Sequence, residues 1–297
     1  IIKEPVWTWE IPTYFFTGGL AGASAVLSSA ARVTGNETLA RRALYIGAVA
    51  DMVSPLLLIS DLGRPERFHH MLRVVKPTSP MNIGSWVLLV SGGASTTAAV
   101  LQFVGKLKPL RIAASLVSAL AGPPLATYTG VLIADTAIPV WHEGRHELPW
   151  IFGASAAASA GAAAAMFVPA RDAGPARRVA VAGVLAEGAL MQAMKLRLGN
   201  VGEVYHEGEA GKLSRAAKGL AAVGAALLAT RGRKSRTSAV VGGALVCAGE
   251  LCLRRAVFKA GFQSARDPKY VVDSQRERIE QDGTKATTKP KPDERTR

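Results

Sequence analysis

Cysteine and membrane-embedded histidine are what this chain lacks, and each gap excludes a redox centre. The 297 residues include 2 cysteines, Cys247 and Cys252, both inside one apolar stretch. They cannot supply the four thiolates of an iron–sulfur cluster. No His-rich segment accompanies them as a zinc site would require, so they read as buried structural thiols. All 5 histidines (His69, His70, His142, His146 and His206) fall in polar connecting segments. A b-type haem held in a helical bundle needs axial ligands inside it, usually His, so the chain reads as haem-free. No basic stripe interleaved with aromatics is present, so the formal net charge of +14 does not point to nucleic acid. Its cations fall between the apolar stretches and in the tail, where loop and headgroup electrostatics account for them. Residues 1–10 lack a basic n-region and an Ala-x-Ala site, which leaves the first apolar stretch as its own insertion signal.

The short apolar periodicities of a soluble domain are also missing. Hydrophobic residues make up 49% of the chain and come in long blocks with few charges. Blocks near 12–34, 39–60, 82–105, 111–134, 150–168, 176–194, 213–230 and 237–256 are each long enough to cross a bilayer as a helix. The expectation is an all-α, polytopic membrane protein of about eight spans, with a transmembrane region over 1–256 and a polar tail over 257–297 whose Lys/Pro-rich end reads as disordered. Glycine (30 residues) and alanine are abundant, as close helix packing in lipid requires.

The loops sort into two sets. Short, basic ones lie around 35–42, 106–111, 169–178 and 231–236; longer ones of mixed charge lie at 61–81, 135–149 and 195–212. Lys and Arg counts favour the short set as cytoplasmic and the long loops and termini as extracytoplasmic. Long, composition-rich loops carry sites or dock partners.

Four stretches stand out. Trp7 and Trp9 form an interfacial belt ahead of Glu10, Pro12, Thr13 and Tyr14. Glu10 either complements the positive end of a helix or accepts a proton at a ligand pocket. The loop from Asp61 to His70, with Arg64 and His69, reads as an interfacial elbow, and Ser79-Pro80-Met81-Asn82 opens the next span. Pro123 and Pro124 are expected to break the helix one turn before Tyr128, whose phenol either bonds a bundle carbonyl or donates to a quinone carbonyl. Asp51, Glu187 and Glu250 lie within spans, where ionisable groups default to a proton relay. Lys195, Arg197 and Arg254 are cations that would otherwise pair with them.

Together these residues resemble the NrfD/PsrC (polysulfide reductase) family of membrane anchors. The resemblance rests on Trp-x-Trp-Glu-Ile-Pro-x-Tyr with its Gly-Gly-Leu-Ala-Gly run, Leu-Gly-Arg-Pro-Glu-Arg-Phe, Ser-Pro-Met-Asn-x-Gly-Ser-Trp, Tyr-Thr-Gly-Val-Leu-Ile before Pro-Val-Trp, and Ala260-Gly261-Phe262-Gln263-Ser264-Ala265-Arg266-Asp267-Pro268. It implies eight spans in two four-helix units, about 12–134 and 150–256, in a bacterial cytoplasmic membrane. It also implies a quinone (menaquinone or ubiquinone) beside a four-cluster iron–sulfur subunit that serves a molybdopterin enzyme. The site residues it carries over are Glu10 and Tyr128, with Thr13, Arg64 and His69 at the pocket or its rim. In the polysulfide reductase branch the first-span site pairs an Asn with a His one turn later; here Glu10 and Thr13 stand instead. With no haem or cluster of its own, the chain cannot carry electrons far, so the pocket belongs at a membrane face. The rival from another class is an ion or small-molecule transporter using Asp51, Glu187 and Glu250. Against it, Pro55 and Pro123-Pro124 do not occupy matching positions in two inverted halves. A structural anchor without quinone is the third reading.

Overall fold

The structure, a computed structural model, describes residues 4–270, so the low-complexity end lies outside the described residues. Long helices run through it in chain order: α1 (Glu10–Val33), α2 (Glu37–Ser60), α3 (Pro80–Val104) and α4 (Lys108–Ala134), then, after the short α5 (Pro139–Glu143), α6 (Leu148–Phe167), α7 (Gly174–Leu198), α8 (Gly208–Thr230) and α9 (Arg236–Arg266). Three 3-10 segments, Pro65–Leu72, Gly144–His146 and Gly199–Tyr205, lie in the long loops. Among the described residues there is no strand.

The starts of these helices follow from local chemistry. Asn36, Ser79 and Ser235 each accept a backbone N–H with the side chain at the first turn of α2, α3 and α9. Prolines occupy the first turn of α3, α4, α6 and α7, where the missing N–H costs nothing. Pro123 and Pro124 do not break α4, which runs unbroken through both. Thr127 Oγ1 donates 2.9 Å to the Pro123 carbonyl within the same helix.

Packing divides along the chain. α1 lies on α2 and α4, and α3 on α4 and α2; α6 lies on α7 and α9, and α8 chiefly on α9. The two groups meet where α1 and α4 cross α6. At the α1–α4 crossing Gly22 and Gly122 face each other's carbonyls, and a Cβ on either would strike the opposing backbone. α6, rich in alanine and serine, is the most enclosed of the apolar helices.

Helices α2, α3, α4, α6 and α7, the last with its extension to Tyr205, are long and apolar enough to cross a membrane. The expected number of crossings was about eight; α1, α8 and α9 have the length but are less apolar. α1 carries a Thr17-Gly18-Gly19 run, α8 begins with a charged turn, and α9 holds Glu250, Arg254, Arg255 and Lys259. Outward residues such as Phe103, Leu120, Leu185 and Leu196 are exposed, a surface suited to lipid rather than water. α9 also continues to Arg266, past the boundary read at 256. That extension buries Val257, Phe258, Ala260 and Gly261, which explains why it stays helical.

Candidate functional site

At the end of the molecule where α1 begins and α2 ends, a narrow cleft of about 90 Å³ opens among Trp7, Ile11, Tyr14, Met71, Met81 and Tyr128, with Asp61 in its wall. Tyr14 and Tyr128 bring their rings together, 6.4 Å between centroids and tilted by 57°. Tyr14 is buried and its hydroxyl makes no hydrogen bond among the described residues. Gly84 makes room for Tyr128: a Cβ there would overlap the phenol ring.

Two loops are held over this cleft. Asn82 Nδ2 donates to the Met71 carbonyl (2.7 Å) and its Oδ1 accepts from the Lys76 N–H (2.7 Å), clamping the 65–76 loop onto the start of α3. The segment before α1 is held by Asp61, whose carboxylate accepts from the Thr8 N–H (3.1 Å) and hydroxyl (3.0 Å). The same hydroxyl lies against the Glu10 carboxylate. A hydroxyl has one proton, so it can serve Asp61 or Glu10 but not both. Trp7 stacks on Trp141 (6.1 Å), and the buried Trp141 donates its indole N–H to the Val257 carbonyl (2.8 Å). The cleft is thereby tied to α9.

A second cluster lies within the α6–α9 group. Glu187 of α7 and Glu250 of α9 are buried neighbours, and the buried Arg254 is the cation that both feel. Arg254 Nη2 donates to the Phe152 carbonyl (2.7 Å) while its guanidinium lies 3.8 Å from the centre of the Phe152 ring. Its Nε and Nη1 make no hydrogen bond among the described residues. From Phe152 the rings continue to Phe15 (5.9 Å), Tyr14 (6.2 Å) and Tyr128, linking this cluster to the cleft. Glu187 also lines a groove of about 670 Å³ between α7 and α8, together with Lys195, Tyr205 and Ser214. Among the described residues, no three His, Cys, Asp or Glu side chains gather as a metal site would need.

A family model described as polysulfide reductase matches residues 1–267. The chain belongs to the polysulfide reductase (NrfD) family. It is a multi-pass membrane subunit of an oxidoreductase complex. No curated protein matches it.

The residues singled out in this NrfD chain separate into three groups. Tyr128 lines the cleft, and Glu10 sits at its rim through Thr8 and Asp61. Thr13 turns its hydroxyl back to the Trp9 carbonyl (2.8 Å). Arg64, just before the 65–72 segment, and His69 within it are exposed, His69 edge-on to His70 at 4.4 Å; the cleft wall takes Asp61, Leu62 and Met71 from the 61–81 loop instead. Glu187 and Glu250 come together, whereas Asp51 stands apart in the first group, accepting from Ser91 (3.2 Å) and Ser95 (2.6 Å) of α3. Of the cations expected beside the acids only Arg254 is there. Arg197 instead pairs with Glu147 (2.6 Å), and Lys195 donates to Ser214 (3.3 Å).

Sequence reasoning gave no role to Tyr14, Asp61, Met71 or Trp141. A signal for Tyr14 exists, since Glu10 and Tyr14 are four apart on one helix face. For Asp61 there was none, because its partner Thr8 lies 53 residues away. Ion pairs trim the same end of the molecule. The Arg197 guanidinium hydrogen-bonded to Glu147 holds that carboxyl below the usual glutamate range. Arg266 does the same to Glu4, to which it donates two bonds of 2.6 and 3.0 Å.

Proposed function

We propose that this chain is the membrane anchor and quinone-reactive subunit of a multi-subunit molybdopterin/iron–sulfur oxidoreductase of the bacterial cytoplasmic membrane. All eight long helices cross the bilayer, as two four-helix units. The observation that carries the reading is the cleft itself: an apolar, ring-walled opening at one end of the bundle with a phenol and a carboxylate in its wall. A quinone head needs that combination: flat apolar contact, a hydrogen-bond donor for a carbonyl oxygen, and a proton source.

In this reading Tyr128 donates to a quinone oxygen, and the pair formed by Asp61 and Glu10 around Thr8 exchanges protons with the loop side. The quinone takes two electrons from the partner's nearest iron–sulfur cluster and two protons through this pair, giving quinol; the reverse reaction returns both. At about 90 Å³ the cleft is tight for a substituted ring, so entry uses the flexible Met71 and Met81 side chains, which repack at little cost. Glu187 and Glu250 form a relay pair deeper in the bundle, while the serine-bonded Asp51 fixes α2 to α3. Arg64 and His69, exposed beside the cleft, fall on the surface where the iron–sulfur subunit docks.

Purifying the complex in mild detergent tests this. Tyr128→Phe should leave the partner subunits bound while quinone reduction or quinol oxidation falls by on the order of tenfold or more, the loss of one transition-state hydrogen bond. Unchanged quinone turnover in an assembled Tyr128→Phe complex would defeat the reading. A chain that purifies without any redox partner would favour the transporter.

A further inference from the structure

At the opposite end from the cleft, a cavity of about 820 Å³ opens between the start of α7 and the end of α8. Four arginines line it, Arg171, Arg177, Arg178 and Arg233, and the last two are close enough to Arg177 to repel it; three of the four, Arg177, Arg178 and Arg233, carry the argument. Among the described residues none of the three has a carboxylate partner; Arg171 alone at this rim is paired, with Asp172 at 3.5 Å. Arg177 is held in place by donating to the Ala170 (3.1 Å) and Gly232 (3.4 Å) carbonyls. Arg178 and Arg233 are exposed at the mouth and Arg177 is buried behind them, so the repulsion falls mainly on Arg177 and an anion bound there relieves it.

The rest of the lining identifies that ligand. Below the arginines the wall becomes apolar, through Val181, Leu185 and Leu228. Leu185 also lines the α7–α8 groove that continues towards the far end, because α7 packs mainly on α6 and α8 mainly on α9. A soluble anion would use only the charged half of this cavity, and an acidic protein would meet a recess rather than a surface. We propose that the cavity is a binding site for an anionic phospholipid, its phosphate held by Arg178 and Arg233 beside Arg177 and an acyl chain lying against Val181, Leu185 and Leu228. Arginine suits this task, since its planar fork bonds phosphate oxygens in pairs. The volume also lies in the range of small-molecule sites.

Detergent-purified wild-type complex is equilibrated with mixed micelles of equal phosphatidylglycerol and phosphatidylcholine, and the lipid retained after washing is counted by native mass spectrometry. Retention of phosphatidylglycerol should exceed that of phosphatidylcholine by about tenfold, which corresponds to a single charge-assisted hydrogen bond. In an Arg178→Ala/Arg233→Ala double variant the preference should vanish, and in the double Lys variant it should fall only partly. Arg177 is left in place because it joins two loops. Equal retention of the two lipids by wild type, or undiminished preference in a folded double-Ala variant, overturns the proposal. Displacement of the lipid by millimolar inorganic phosphate also overturns it, in favour of a free-phosphate site. The wild-type comparison stands even where a variant fails to assemble, and quinone turnover plays no part in it.

Discussion

Tyr128 shows how much a single residue here depends on a neighbour that has no side chain. Its ring occupies the space above Gly84 on α3, so Gly84→Ala forces the phenol to shift or α3 to move. Overpacking of this kind costs about 1–3 kcal/mol. Gly84→Ala should therefore lower the detergent melting temperature and reduce quinone turnover along with Tyr128→Phe. A variant that melts lower but keeps full turnover would show that Tyr128 position is unimportant. Arg254 is the second decisive residue. It is buried against Phe152 and faces Glu187 and Glu250, so Arg254→Ala leaves two buried carboxyls without their cation. Breaking a buried network in this way costs about 3–5 kcal/mol, and thermal unfolding of the purified chain measures it. Glu187 and Glu250 were legible as unusual because charges within apolar stretches are rare. Their meeting with each other, and not with Asp51, was not legible, because helices with equal apolar periodicity can pack in many rotations.

At the scale of elements, α5 and the end of α9 form one joint. Trp141 is buried between them, its N–H on the Val257 carbonyl, and Gly261 lies where any Cβ would meet the indole. Removing the donor in Trp141→Phe deletes one buried hydrogen bond, while the Val257 carbonyl keeps its partner within α9, a loss of about 0.5–1.5 kcal/mol. Since Trp7 stacks on the same indole, the variant should also loosen the segment before α1, seen as faster amide exchange at residues 6–9. The start of α6 is tied to the end of α7 by Glu147 and Arg197. The folded state holds the Glu147 carboxyl below its unfolded value of about 4.3. Its contribution is complete above that value and is lost as pH falls through the lower, folded one. Melting temperature should thus fall more steeply below about pH 4.3 in wild type than in Glu147→Gln. Equal acid sensitivity in both would remove the pair from the stability of this end. The motif around Gly261 and Gln263 was visible as a pattern, but its use was not: Gln263 accepts from the Ala210 N–H (2.7 Å), joining α9 to the start of α8.

For the molecule as a whole, the positions of the helices followed from where apolar residues run without interruption, because backbone polar groups in hydrocarbon must bond within their own segment. Hence the long helices were predictable to within a few residues at most ends, α9 excepted. The class of protein followed for the same reason. The apolarity of individual helices is a different matter: a helix surrounded by others can carry glycine, serine or a paired charge, so α1, α8 and α9 reach less far on composition than α2 or α7. Which residues gather around the candidate cleft was decided by tertiary structure alone. Thr8 and Asp61, Tyr14 and Tyr128, and Trp141 and Val257 are distant in the chain and meet only because α1 packs on α2 and α4, and α5 on α9. Sequence by itself determined that this chain lives in a bilayer and which residue types it had available. The relative rotation of its helices, set by small residues at their crossings, decided which of those types became neighbours.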